Sequence, residues 1–310
     1  MTASAGNEGP RHEIARGEPG YPAAFSRLAD PPARLYLIGD PAALEEGLAV
    51  VGARKATPYG AGCARRFARR AAGRGVAVIS GGARGCDAAA HEGALAAGGR
   101  TVAFLGGGAD RVYPREHAGL FRRIVASGGA LVSENPWGFG PLGWTFRRRN
   151  RLIASLARAT LIVEAGLPSG TFSTADEALS ASRDVLVIPG AITAASSRGA
   201  NRLLYQGALP IVDDESFDDA LFSLFGCLKQ QEADASGRIA APSQRRRGTA
   251  LDPIAAALAV EPLRMDDLLA LAERHCGAQD ARSWLAVRLA EAEAAGIAAR
   301  YPDGRWGPVG

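Results

Sequence analysis

A chain of 310 residues, 47% hydrophobic and 22% charged, has room for about two domains that each bury a core without staples, which excludes fibrous and disordered classes. Its four cysteines, Cys63, Cys86, Cys227 and Cys276, form no CxxC pair and no metal-ligand spacing, so no disulfide framework, metal or cofactor is expected; a polar start and the lack of any run of ~18 apolar residues exclude a membrane span and point to the cytoplasm. The net charge is +4 and the cations are almost all arginine, lysine standing only at Lys55 and Lys229; arginine suits phosphate recognition, but codon bias gives the same excess, so only clustered arginines carry weight.

Residues 1–30, polar and punctuated by Pro10, Pro19 and Pro22, read as a partly disordered lead into a short packing segment. Regular structure is expected from Leu35 onward. Apolar runs of strand length follow at Leu48–Val51, Val76–Ser80, Thr101–Leu105, Ala130–Ser133, Thr160–Glu164, Asp184–Ile188 and Pro210–Val212. Such short, continuous, β-branched runs suit strands buried on both faces. Between them Thr57-Pro58 supplies an N-cap with proline at the first helical position, opening a helix that stops at Gly73 or Gly75. Further helices are expected at Asp87–Ala97, Arg115–Ala126, Arg148–Ala157, Thr171–Ser182, Ser197–Gln206 and Ser216–Phe225. This alternation predicts an α/β domain over residues 31–226, an extended Rossmann-like, doubly wound, mostly parallel sheet with helices on both faces. Residues 227–249, ending in Arg245, Arg246 and Arg247, read as a linker. Beyond it, helices at Pro253–Ala259, Met265–His275 and Ala281–Ala295 and a hairpin turn at Pro302-Asp303-Gly304 predict a small C-terminal winged-helix domain over residues 250–310, a fold that contacts either duplex DNA or protein.

In a parallel sheet the strands end on one edge, where ligands bind, and the informative residues fall in the loops that meet there. Gly52-Ala53-Arg54-Lys55 precedes the helix capped by Thr57, placing two cations and free N–H groups at a positive helix end, an expected anion site. Ser80-Gly81-Gly82-Ala83-Arg84-Gly85 follows the next strand, its glycines allowing close backbone approach. It is not GxGxxG, and no P-loop is present. The third loop, Glu134 to Arg151, interleaves Trp137, Phe139, Trp144 and Phe146 with small residues and ends in Arg147, Arg148, Arg149, Asn150 and Arg151. Aromatic faces stack on bases at ~1–3 kcal/mol each, and clustered arginines neutralise phosphates. Cations at a helix N-terminus are unfavourable without an anion, which adds weight to Arg149-Asn150-Arg151. Ser169-Gly170-Thr171 and Pro189-Gly190 offer further hydroxyl and N–H groups.

These motifs, taken in order with Tyr21-Pro22, Gly106 to Tyr113-Pro114, Ser133-Glu134 and Val163-Glu164-Ala165, resemble the DprA/Smf family over about residues 21–212. The resemblance implies a dimeric single-stranded DNA-binding protein of natural transformation and recombination, which protects incoming DNA and loads the RecA recombinase. It assigns the DNA site to Gly52, Arg54, Lys55, Ser80, Gly81, Gly82, Arg84, Gly85, Phe146, Arg149, Asn150, Arg151, Ser169 and Gly170. The sequence departs from the family where Ala53 replaces the usual serine, where Gly82 and Cys86 replace aliphatics and where Arg148 stands for a common proline.

The rival reading is a nucleotide phosphoribohydrolase on a related fold, faintly echoed by Pro168-Ser169-Gly170-Thr171 with Glu177. Its acid and base would come from Asp87, His91, Glu134 or Glu164. The double glycine of that motif is missing, and such an enzyme gives no reason for the arginine loops, so no catalytic residue is expected.

Overall fold

The computed structural model describes residues 6–167, 170–227, 253–260, 263–276, 280–294, 298–300 and 306–308. Ser169, the linker arginines Arg245, Arg246 and Arg247, and the Pro302–Gly304 turn lie outside the described residues. The chain divides into two units, residues 1–235 and 236–310.

In chain order the first unit runs β1 (Arg11–Ala15), β2 (Arg34–Gly39), β3 (Gly47–Val51), α1 (Pro58–Ala72), β4 (Val78–Ser80), α2 (Cys86–Ala96), β5 (Thr101–Phe104), α3 (Ala118–Ala126), β6 (Ala130–Ser133), α4 (Gly143–Leu156), β7 (Ala157–Ile162), α5 (Thr171–Ser180), β8 (Asp184–Val187), α6 (Arg198–Tyr205), β9 (Leu209–Pro210) and α7 (Asp214–Phe225). The strands form one nine-stranded sheet ordered β1-β2-β6-β5-β4-β3-β7-β8-β9. From β6 to β9 every pair is parallel, whereas β1 and β2 add an antiparallel edge. Apolar residues run continuously through these strands because each face is covered. Leu48 and Val50 point to Phe67 of α1, Ala89 of α2 and Phe217 of α7, while Ala49 and Val51 point to Leu152 of α4, Ala175 of α5 and Leu203 of α6. The chain starts its parallel set at β3, winds outward through β4 to β6, then returns to β3's other side with β7. Strand order therefore reverses between β3 and β7, the place where an open α/β sheet leaves a crevice at its carboxyl edge.

Two sequence expectations change. The lead is structured from Gly6 onward: Arg11–Ala15 pairs with β2 from Arg11↔Ile38 to Ala15↔Arg34, and Phe25 is wholly buried against Phe104. The strand RHEIA carries a single apolar residue that becomes buried, Ile14, so it has no readable alternation; backbone pairing along β2 supplies its order. The second change is at α4, which begins at Gly143 rather than Arg148. Thr145 Oγ1 donates to the Leu142 carbonyl at 2.8 Å and closes the first turn, drawing Trp144 and Phe146 out of the loop and into the helix.

The second unit contains α8 (Pro253–Val260), α9 (Met265–Cys276) and α10 (Ala281–Ala294), with β10 (Ala298–Arg300) paired antiparallel to β11 (Trp306–Pro308). Ile254, Leu258, Leu268, Leu285, Leu289 and Trp306 form its core. Among the described residues no helix is long and apolar enough to cross a membrane.

Candidate nucleic-acid interface

The loop after β3 ends on α1, where Thr57 Oγ1 accepts the Gly60 N–H at 3.1 Å. The anion expected at this helix end is one the protein supplies itself. Glu164, 3% exposed at the end of β7, accepts the Thr57 N–H on Oε2 at 2.9 Å, and a Cβ at Gly60 would lie 2.2 Å from that oxygen. A carboxylate thus neutralises the positive end of α1, and the helix terminus is not open to a ligand. Arg54 and Lys55, just upstream, remain exposed and without an ion-pair partner among the described residues.

The loop after β4 is built round a buried guanidinium. Ser80 is fully buried and its hydroxyl donates to Val50 O at 2.6 Å, stitching β4 to β3. Arg149, 4% exposed, donates from Nη1 to Gly81 O at 2.5 Å and to Phe104 O. It lies so close over the loop that a Cβ at Gly81 would fall 2.3 Å from Nη1. Burial pushes the Arg149 pKa down to about 10, against the pull of the neighbouring Asp87. Burial raises the Asp87 carboxyl in turn, opposed first by Arg149. Gly85, at φ +74°, passes so near the preceding loop that a Cβ would meet Ala53 O at 2.3 Å and Arg54 O at 2.7 Å. Arg84 is exposed and donates from Nε to the Glu116 carboxylate.

Helix α4 fans its arginines apart, because successive residues turn by about 100°. Arg147 is exposed. Arg148 and Arg151, three apart, both reach Glu134, at 3.4 and 2.7 Å, and Asp30, at 3.1 and 3.7 Å. Asn150 accepts Arg149 Nε–H on Oδ1 at 3.2 Å and donates from Nδ2 to Ser173 Oγ at 2.8 Å. Since α4 starts a turn earlier than expected, its arginines stand clear of the first turn, and the helix-end argument for an anion beside them lapses. The aromatics divide as well. Trp137 donates from Nε1 to Glu13 at 2.7 Å, packs edge-on to Tyr36 and lies under Arg11, so it fastens β1 to the sheet. Phe146 has the Arg54 guanidinium 5.1 Å from its centroid and the tilted Tyr113 ring 5.5 Å away.

Two cavities result. One, of about 470 Å³ at the β3–β7 reversal, is lined among others by Gly52, Arg54, Phe146, Arg147, Arg149, Asn150 and Gly170. The other, of about 270 Å³, is lined by Arg54, Lys55, Gly81, Gly82, Arg84, Phe146, Tyr113 and neighbours. Arg54 and Phe146 belong to both. The sequence-derived set is therefore brought together save for Ser80, Gly85 and Arg151, whose parts in this structure are internal contacts, and Ser169, which is not described. Asp87, Thr171, Thr174 and Tyr113 line the cavities without having been assigned to the DNA site. Tyr113 carried a usable signal, an aromatic in the loop after β5. The candidate base His91 is fully buried with Nδ1 2.7 Å from Thr101 Oγ1, and burial pushes its pKa down to about 3. Among the described residues no group of His, Cys, Asp and Glu could hold a metal ion.

Residues 12–221 match the model of the DNA recombination-mediator protein A family. Over 196 residues the chain is 39% identical to Protein Smf of Escherichia coli, covering 63% of this chain and 52% of that one. The chain spans about half the length of the curated relatives it matches first. Among solved structures, DNA processing protein A of Streptococcus pneumoniae superposes with a TM-score of 0.62 at 32% identity, covering 66% of this chain and 72% of that one. The Helicobacter pylori protein, whose structure is described for its single-stranded DNA binding mode, gives 0.64 at 31% identity, covering 70% of this chain and 98% of that one. With the match running from β1 to α7, the chain belongs to the DNA recombination-mediator protein A family.

Proposed function

We propose that the chain binds single-stranded DNA by its phosphate backbone along the carboxyl edge of the sheet, protects the strand and passes it to RecA without transforming it. One observation carries the reading: Arg54, Lys55 and Arg147 are exposed, have no carboxylate partner among the described residues and border two adjoining cavities. Cations left unpaired round a crevice favour a polyanion, and backbone contacts of this kind are independent of base sequence. The binding mode described for the Helicobacter pylori relative supports the choice of single strand. Catalysis has little to work with, since Glu164 holds the start of α1, His91 is enclosed and Asp87 lies against Arg149. A homodimer, a cytoplasmic setting and a winged-helix role for the second unit, in contact with either protein or duplex DNA, complete the proposal.

Fluorescence anisotropy with labelled oligo-dT and a matched duplex tests this. The single strand binds more tightly, with log affinity falling against log salt at about −0.7 per phosphate neutralised. Arg54→Ala and Arg147→Ala each weaken binding about tenfold and each flatten the slope by about 0.7. Unchanged affinity in both variants removes the assignment of the crevice. Release of free base from nucleoside monophosphates would overturn the exclusion of catalysis.

A further inference from the structure

Helix α1 carries its arginines in two rows, and one of them shows what such a row binds. Arg66, Arg70 and Arg74 stand four residues apart and so share a face of the helix. Along that face lies α7 with Asp214 and Asp218, also four apart. Arg66 and Arg70 reach Asp214 at 2.8 and 3.1 Å, Arg70 holds both oxygens of Asp218 at 2.6 and 2.7 Å, and Arg74 reaches Asp218 at 2.5 Å. Positive and negative charges therefore alternate along the seam between the two helices.

The second row, Arg65 and Arg69, is turned from the first by about 100° and faces solvent. Arg69 has no ion-pair partner among the described residues, and Arg65 meets Glu92 at 3.2 Å in a pair that is about half exposed, at 51% and 41%, hence screened and easily opened. These two border a groove of about 710 Å³ together with Arg66 and Arg70, and the rest of its lining is small, including Gly62 of α1 and Ala96 of α2. Neither a carboxylate nor an aromatic ring is among the described residues that line it. Arg65 and Arg69 lie about 12–18 Å along α1 from Thr57, away from the rim of the sheet. Gly62 adds a steric sign. Glycine within a helix weakens it, and a Cβ there would find nothing within 4 Å, whereas Gly60 is required by the Glu164 carboxylate. Internal packing does not call for Gly62, and its bare backbone lets a neighbour approach closely from outside.

We infer that the groove between α1 and α2 docks an acidic helix of a partner protein, whose carboxylates, four residues apart, sit on Arg65 and Arg69 as those of α7 sit on Arg66, Arg70 and Arg74. The inference stands apart from the DNA-binding reading. A nucleic-acid strand is the poorer fit, because the groove offers bases no ring to stack on.

The probe is a fluorescein-labelled, alanine-based helical peptide with three glutamates at four-residue spacing, set against the same peptide carrying glutamines. Binding to the full chain is read by anisotropy at low salt, where charge pairing is least screened. The wild-type chain binds the glutamate peptide about tenfold more tightly than the glutamine peptide. Arg65→Ala/Arg69→Ala lowers that affinity at least about fivefold, while Arg158→Ala/Arg202→Ala, which removes equal charge from exposed sites elsewhere, leaves it unchanged. Gly62→Leu puts a side chain into the groove and also weakens the peptide at least about fivefold, yet its urea midpoint does not fall, since leucine is the better helix former. Equal binding of the two peptides overturns the inference, as does an equal loss in the Arg158/Arg202 chain or a Gly62→Leu chain that keeps both midpoint and affinity. Oligo-dT affinity is unchanged by Arg65→Ala/Arg69→Ala; a loss as large as the peptide's would make the groove a nucleic-acid surface. A sedimentation mass that falls with the same substitutions would make its occupant a second copy of the chain. Either result overturns the inference.

Discussion

Among the rim cations Arg54, Lys55, Arg84 and Arg147, Arg84 is the one held by a carboxylate, through its Nε and Glu116. Both side chains are largely exposed, at 63% and 50%, so the pair is screened and easily opened. On the DNA-binding proposal Glu116 would act as an internal competitor, which a phosphate would have to displace to reach Arg84. Glu116→Gln is expected to tighten oligo-dT binding about two- to fivefold at low salt and to steepen the salt slope by up to about 0.7. The gain should vanish in the Arg84→Ala background. As a control, Glu92→Gln removes an acid that pairs instead with Arg65 and Arg123; an equal gain there would point to net charge rather than to Arg84. At this scale the sequence was a partial guide. It identified Arg54, Lys55 and Arg84 as rim cations, but it gave the same weight to Arg151, an internal strut on Glu134, and to Arg149, which lines the larger cavity while its Nη1 is spent on two backbone carbonyls. Whether an arginine faces solvent is set by the helix phase and by partners as distant as Glu134 and Gly81, which adjacency in the chain does not encode.

At the scale of elements, α1 shows how a motif can be read correctly and still mislead. Thr57 and Pro58 do start the helix, but the counter-charge arrives from β7, 107 residues away in sequence. Glu164→Ala would leave the Thr57 N–H without its acceptor in a partly buried place, an expected loss of about 1 kcal/mol, measurable by urea denaturation. Gly60→Ala would press a methyl on the same carboxylate, 2.2 Å from Oε2, and should destabilise the domain as well. A Gly60→Ala chain as stable as wild type would contradict the tight seat described for Glu164. Strand positions were legible because buried parallel strands need unbroken apolar runs; the start of α4 was not, because its first turn is closed by Thr145 without any capping residue at Leu142.

For the whole first unit, the order of strands and helices follows from the alternation in the sequence, and with it the crevice at the strand-order reversal. The edge did not follow. Glu13 and Arg11 engage Trp137, and Phe25 fills the core against Phe104, so a segment that reads as a polar lead is part of the sheet. A chain shortened to begin at residue 31 would lose β1 and the Phe25 ring, and should be less stable by at least about 3 kcal/mol than one beginning at residue 6, the scale of emptying a phenylalanine site. Limited proteolysis and denaturant midpoints of the two chains check this; equal midpoints would mean that the edge contributes nothing.

The close seat of Gly85 on the Ala53 and Arg54 carbonyls has a consequence for the whole rim. Backbone rests on backbone there, with no flexible side chain between, so the segments bearing Arg54, Lys55 and Arg84 are held like teeth cut from one comb. If a strand docks here as proposed, the backbone beneath these three residues is already in place and needs little further ordering. A residue larger than glycine at position 85 would prise two teeth apart, altering the fit to the phosphate repeat without removing a single positive charge.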